Sequence, residues 1–171
     1  MVIVSVNELK NALFSSGIAQ DYQLVGCTEQ ELCAIEEKYG KLPMAYKQIM
    51  SLLGRRAGRL VSRYEFDFYI DQIPALNERM LQSIKEAVEA GENFFAQLPE
   101  NAFFICSRYG DDFMFILANG SDESPVYVWK YNEKIEQINT SIWEWMEDWI
   151  KDAEALMELE NNSKLKKNKW V

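Results

Sequence analysis

The sequence predicts a mixed domain in which helices pack on an antiparallel β-meander. Two observations carry this. Three Ser/Thr…Glu pairs (Ser5 with Glu8, Thr28 with Glu31, Ser141 with Glu144) each precede an apolar stripe at helical spacing, as capping boxes do at helix starts. Three apolar, β-prone runs at 102–107, 113–118 and 125–131 are joined by short polar connections containing Gly110-Asp111 and Asn119-Gly120, the pattern of successive hairpins.

Taken in order, Ser5 opens a helix with Leu9, Leu13 and Phe14 on one side, closed by Ser15-Ser16-Gly17. Residues 18–27 read as a loop. From Thr28, the residues Leu32, Ile35 and Tyr39 form an apolar face, and Gly40 supplies the left-handed conformation that commonly ends a helix. Pro43 suits the first position of the next helix, where its missing N–H costs nothing. Tyr46, Ile49, Met50 and Leu53 continue as a second buried stripe, ended by Gly54. The basic run at 54–59 lacks the Gly-Lys-Ser/Thr ending of a phosphate loop and the GxGxxG pattern, and reads as a solvated turn.

Residues 60–70 read as a half-buried strand, since Tyr64, Phe66 and Phe68 alternate with Glu65 and Asp67. Ile73-Pro74 breaks it. A helix with Leu76, Met80, Ile84 and Val88 on one face follows and stops at Gly91. Pro99-Glu100-Asn101 turns the chain into the meander. The last helix, from Ser141, carries Ile142, Trp145, Met146, Trp149, Ala153 and Leu156 at i, i+3, i+4 spacing. Trp145 and Trp149 are expected in the core and Trp143 partly exposed, because aromatic stripes on helices usually bury. Residues 1–160 form a single domain on this reading, and the basic stretch 161–171, without periodicity, is expected to be a frayed, disordered tail.

Composition narrows function mainly by exclusion. The 171 residues are 48% hydrophobic and 26% charged, the balance of a soluble domain. No apolar run approaches the roughly 18–20 residues a bilayer requires, and the N-terminus lacks the basic and long apolar regions of a signal peptide. The expected compartment is the cytoplasm. Cys27, Cys33 and Cys106 are an odd set without CxxC spacing, which fits reduced thiols. The chain contains no histidine. That excludes Ser-His and Cys-His nucleophile pairs and imidazole acid–base catalysis, and it leaves a zinc site short of its usual ligands. The net charge of −9, from 18 basic and 27 acidic residues, argues against direct nucleic-acid binding; it would suit a basic protein partner better, but an acidic excess of this size is accounted for equally by solubility alone.

The order of these elements is similar to that of the SUKH superfamily, bacterial immunity proteins related to fungal cell-wall and signalling regulators. The matching residues are Leu32, Ile35, Glu36, Tyr39 and Gly40, then Leu42-Pro43, Tyr46 and Leu53-Gly54. They continue with 104–107, Gly110-Asp111 and 113–117, and with 125–129 before the closing helix. The resemblance spans roughly residues 28–156. Arg55-Arg56 stand where the family often carries a second glycine, and residues 60–99 match no family feature. The resemblance implies an α+β domain with a mainly antiparallel sheet flanked by helices, and no catalysis; the residues themselves show no cofactor motif and no metal cluster, so none of either is expected. It also implies stoichiometric neutralisation of a cognate secreted or contact-dependent toxin, often a nuclease, in the producing bacterial cell. The alternative is a non-enzymatic regulatory scaffold that organises cellular partners, as the resemblance to the fungal regulators implies. An enzyme built on Asp111 and Asp112 is the weakest reading, because adjacent side chains need not converge.

Partner-binding candidates are the acidic turns and two aromatics. Glu65, Asp67 and Asp71 flank the first strand, Asp111 and Asp112 lie in the hairpin, and Asp122 and Glu123 precede Pro125. Tyr109 and Trp129 are the aromatic candidates, since Tyr and Trp dominate interface hot spots.

Overall fold

The capping boxes start helices where the sequence places them. A computed structural model of the chain describes residues 2–92, 98–130 and 134–167. In α1 (Val6–Ser15) the Glu8 N–H donates to Ser5 Oγ, and the Glu8 carboxylate accepts from Val4 N–H at 2.9 Å. In α2 (Glu29–Tyr39) the exchange is fully reciprocal. The Thr28 N–H donates to the Glu31 carboxylate at 2.8 Å and the Glu31 N–H to Thr28 Oγ1 at 3.3 Å. The segment between them, expected as a loop, holds a 3-10 turn (Asp21–Gln23) and β1 (Leu24–Val25). β1 pairs antiparallel with β2 (Arg56–Ala57), inside the run expected as a solvated turn. Strands of two residues are too short to leave a periodic trace.

The hinge between α2 and α3 (Met44–Leu53) is built around Glu36, whose side chain is 7% exposed. Its carboxylate accepts the Leu42 N–H at 3.0 Å and pairs with Lys47 at 3.2 Å and Lys41 at 3.4 Å. Gly40 turns the chain at φ +102°, a region a side chain disfavours. Pro43 stands one residue before the helix rather than at its first position. Its side chain offers no cap, so the first two N–H groups of α3, those of Met44 and Ala45, donate to the carbonyls of Ser121 and Asp122 at 3.1 and 3.0 Å. Tyr46, Ile49, Met50 and Leu53 are all buried, as their spacing predicts.

The main sheet is antiparallel, in the order β3 (Phe66–Asp67), β4 (Ala102–Arg108), β5 (Asp112–Leu117), β6 (Val126–Lys130), β7 (Glu136–Asn139). β4 to β6 are the predicted meander. Tyr131, expected at the end of the third run, lies outside the described residues. β7 is additional, and three of its four residues are exposed, so no alternation announces it. β3 is far shorter than the strand expected over 60–70. The Phe66 N–H turns back to the Ser62 carbonyl at 3.0 Å, and Gln72 Oε1 accepts the N–H groups of Phe68 and Tyr69 at 3.2 and 3.1 Å. Donors that a longer ladder needs are thus taken locally. The result is an α+β domain.

Helices cover both faces. The register puts Phe104, Phe113, Phe115, Tyr127 and Trp129 on one face, where α4 (Ile73–Glu89) lies. Pro74 sits in the first turn of α4, which tolerates it, instead of preceding the helix as a break. Ile73, Leu76, Asn77, Met80 and Ala87 are buried, whereas Val88, expected on the apolar stripe, is exposed. The buried Asn77 amide takes the place of a neighbouring strand. It accepts the Phe104 N–H at 3.0 Å and donates to the Phe104 carbonyl at 2.8 Å. On the opposite face Phe103 meets Tyr39 and Tyr46, with ring centroids 5.6 and 5.8 Å away, and Phe66 meets Trp149 at 5.0 Å.

That last contact belongs to α5 (Ile142–Lys167). Here Trp143 and Trp145 are buried and Trp149 is only partly so, the reverse of the expectation for Trp143 and Trp149. Trp143 lies beside Ile142 and Met146 on the buried side, whereas Trp149 borders the groove beside Phe66. The helix continues through Lys167, across most of the stretch expected as a frayed tail. Residues 155–160 are dominated by Ala, Leu, Met and Glu, strong helix formers that carry the helix past the core. Residues 168–171 lie outside the described residues.

Two predictions follow from the buried polar groups. Burial alone would raise the Glu36 carboxyl, but the Leu42 N–H, Lys47 and Lys41 outweigh it and hold it below its ordinary value of 4.5. A lowered folded value means the contribution is complete above 4.5 and lost as pH falls through the folded value. Glu36→Gln should therefore cost about 2 kcal/mol at neutral pH, with the gap from wild type shrinking in urea melts run at progressively more acidic pH. Asn77→Leu strands two buried backbone groups and should cost about 2–4 kcal/mol in the same assay.

Candidate interaction surface

The pairing of β3 with β4 brings five of the nine predicted residues to one end of the sheet. Phe66 lies opposite Arg108 and Asp67 opposite Ser107, and the Tyr109 N–H donates to the Glu65 carbonyl at 2.9 Å. Glu65, Asp67, Tyr109, Asp111 and Asp112 therefore share this end, with Asp71 close by at the start of α4. Most of the carboxylates are matched by cations. Glu65 pairs with Arg108 at 2.6 Å, Asp67 with Arg79 at 2.8 Å, Asp71 with Arg63 at 2.9 Å and Asp112 with Lys130 at 3.7 Å. The two hydrogen bonds from Arg63 hold the Asp71 carboxyl below its usual range. Among these carboxylates, Asp111 alone has no ion-pair partner among the described residues. Pairs this exposed contribute little to stability, about 0–1 kcal/mol each, so a partner's charges can replace them at small cost.

Tyr109 is the conspicuous residue. It is 69% exposed, and at φ +50° it is the sole non-glycine residue with positive φ among those described. Gly110 follows at φ +77°, and the Asp111 N–H closes the turn on the Arg108 carbonyl at 3.0 Å. Two successive left-handed residues make a mirror-image hairpin turn, whose first position favours Asn, Asp or Gly. A tyrosine there holds a conformation that costs a side-chain-bearing residue about 1–2 kcal/mol. Tyr64, 99% exposed, stands nearby. The two rings, with Arg63, Arg79 and Gly110, border a shallow depression of about 270 Å³. Strand alternation placed Tyr64 on the inward face with Phe66 and Phe68. The turn at Ser62 lifts it off the strand, and no periodic signal marks that turn.

Three predicted residues do not join this surface. Trp129 is buried, its ring 5.7 Å from Phe113, so packing removes it from the surface. Asp122 and Glu123 lie in the β5–β6 loop, at the other end of the meander. The Asp122 carbonyl caps α3, and the Glu123 carboxylate accepts the Ser124 and Ile142 N–H groups at 3.0 and 2.9 Å, so it caps α5. Sequence alone shows two acidic turn residues there, whereas the fold spends them on helix ends.

Elsewhere, Cys27 and Cys106 are buried and Cys33 is exposed. Burial, with Glu31 adding, pushes the Cys27 thiol up to about 11, far from a reactive thiolate. Among the described residues no group of three or more His, Cys, Asp or Glu side chains is placed to hold a metal. No helix among them is long and apolar enough to cross a membrane.

A hinged helical pair capped by the loops of an antiparallel meander, with an aromatic turn presented at the sheet end, describes a compact α+β module. The chain belongs to the SMI1 / KNR4 family (SUKH-1), whose model matches residues 26–148. The match takes in the hinge, the whole meander and the first turns of α5. A comparison with curated proteins finds no match.

The turn conformation yields a direct check on why Tyr109 is there. Tyr109→Asn relieves the left-handed strain and should stabilise the protein by up to about 1 kcal/mol in equilibrium urea unfolding. A loss of stability instead would mean that the ring makes structural contacts.

Proposed function

We propose that this protein is an immunity protein that neutralises a cognate toxin in the cytoplasm of the bacterial cell that makes it, by stoichiometric binding and without catalysis. Membership of the SMI1 / KNR4 (SUKH-1) family supports the class. The observation that carries the reading is Tyr109, an exposed aromatic in a backbone conformation that another residue type would adopt more readily. Strain of that kind persists where a surface is kept for binding at some expense to stability.

The partner is a basic domain, with nucleases the leading class. A nuclease cleft must attract phosphate and is correspondingly cationic. The net charge of −9 steers such a domain toward this one. At contact, Tyr109 and Tyr64 supply rigid amphipathic area, Asp111 offers an unpaired carboxylate, and Glu65, Asp67 and Asp112 can exchange their internal cations for those of the toxin. Covering the cleft is sufficient for inhibition.

The test is complex formation with the toxin encoded beside this gene. A 1:1 complex should form by sedimentation, and its association rate should fall as salt rises. Tyr109→Ala and Tyr64→Ala should each weaken it at least tenfold while leaving the melting temperature within a few degrees. If no complex forms and cells producing that toxin die despite this protein, the reading fails.

A further inference from the structure

The Asn119-Gly120 pair does not form the turn its sequence suggests. A two-residue mirror-image turn needs positive φ at both positions, and among the described residues only Tyr109 and six glycines have it. Asn119 does not. The pair lies instead in the connection between β5 and β6, with both residues exposed. Gly120, at φ +72°, donates its N–H to the Lys41 carbonyl at 2.8 Å. A Cβ at this position would lie 3.2 Å from Lys41 Cβ, so the close approach favours glycine. The Asn119 side-chain oxygen, Oδ1, accepts the Ser121 N–H at 3.1 Å and the Ser121 hydroxyl at 2.7 Å. Lys41 belongs to the hinge between α2 and α3, which Glu36 holds through the Leu42 N–H, Lys41 and Lys47.

An asparagine followed by glycine can close a ring on itself. The Gly120 nitrogen, on losing its proton to water or hydroxide, attacks Asn119 Cγ. The N–Cγ bond forms, the Cγ–Nδ2 bond breaks, and Nδ2 takes up a proton and leaves as ammonia. Water then opens the succinimide at either carbonyl. Opening at Cγ leaves an aspartate; opening at the main-chain carbonyl leaves an isoaspartate, whose main chain runs through the former side chain. Here the electrophile is primed and the nucleophile is held back. Two donors from Ser121 rest on Oδ1, the oxygen that takes up negative charge as the ring closes. The Gly120 N–H, donating to Lys41, is not free to lose its proton and turn on Cγ. We propose that Asn119-Gly120 is a latent self-modification site latched by the hinge, and that it cyclises with loss of ammonia when Lys41 releases Gly120. The product cannot relatch in the same way. The succinimide lacks the Gly120 N–H, and the isoaspartate lengthens the main chain just ahead of Ser121 and Asp122, whose carbonyls cap α3. Hinge opening is thereby made irreversible. Nothing in this chemistry depends on a toxin or any other partner.

The test is incubation of the full-length protein at mildly alkaline pH, with the peptide containing Asn119 followed by mass and its aspartate and isoaspartate forms separated by chromatography. Folded wild type should convert at least about tenfold more slowly than the same protein unfolded in urea. Glu36→Gln loosens the hinge and should speed conversion of the folded protein at least about tenfold over wild type. The milder Lys47→Gln, which removes one cation from Glu36, should fall between the two, and it keeps the comparison available if Glu36→Gln does not fold. Asn77→Leu destabilises the protein from α4, on the other face of the sheet, and should speed conversion of folded protein less than either hinge variant. Ser121→Ala, added to the hinge variant, removes one donor from Oδ1 and should slow conversion severalfold. Equal rates in folded and unfolded wild type, acceleration by Asn77→Leu equal to that of the hinge variants, or no slowing by Ser121→Ala would each overturn the proposal.

Discussion

The buried carboxylate of Glu36 is the constraint on which the arrangement of the domain depends. It reaches forward six residues to the Leu42 N–H and gathers Lys41 and Lys47 around it, so the last turn of α2, the hinge and the first turn of α3 become one unit. With the hinge fixed, α3 presents its open N–H groups to the β5–β6 loop, which fills them with the carbonyls of Ser121 and Asp122. The same loop sends Glu123 to the start of α5. One short connection thereby positions two helices against the sheet. Glu36 reaches α5 only through this chain of caps, and the sheet face that α5 covers depends on it in turn.

The placement of charge follows from that arrangement. The acidic turns do not form a free negative patch, because four cations are interleaved with the carboxylates at the sheet end. Carboxylates without an ion-pair partner among the described residues are instead found on α5 at Asp152, Glu154 and Glu158, ahead of the lysines at 164, 166 and 167.

The scaffold was largely legible in the sequence because its signals are local. Caps at Ser5 and Thr28, the stripe from Tyr46 to Leu53 and the three meander strands each depend on residues within one or two turns of each other. What stayed hidden depends on distant groups. The run over 60–70 alternates well enough for a strand, yet Ser62 and Gln72 claim its backbone. Pro43 has no side-chain cap because a loop some 80 residues away provides one. At the surface, Tyr109 could be singled out by type and position, whereas Tyr64 looked inward and Trp129 looked available, since exposure is decided by packing across the sheet. Asp122 and Glu123 were indistinguishable from solvated turn residues until their partners in α3 and α5 were known.

The amide of Asn77 has a consequence beyond stability. An incomplete sheet invites extension by any extended chain that passes, and β4 continues well beyond the two residues that β3 covers. By holding both backbone groups of Phe104 with a side chain, α4 withdraws that stretch from intermolecular strand pairing. The remaining edge, β7, is four residues long and begins with a glutamate, a poor template for growth. With its edges closed in this way, the chain can remain concentrated without seeding its own aggregation.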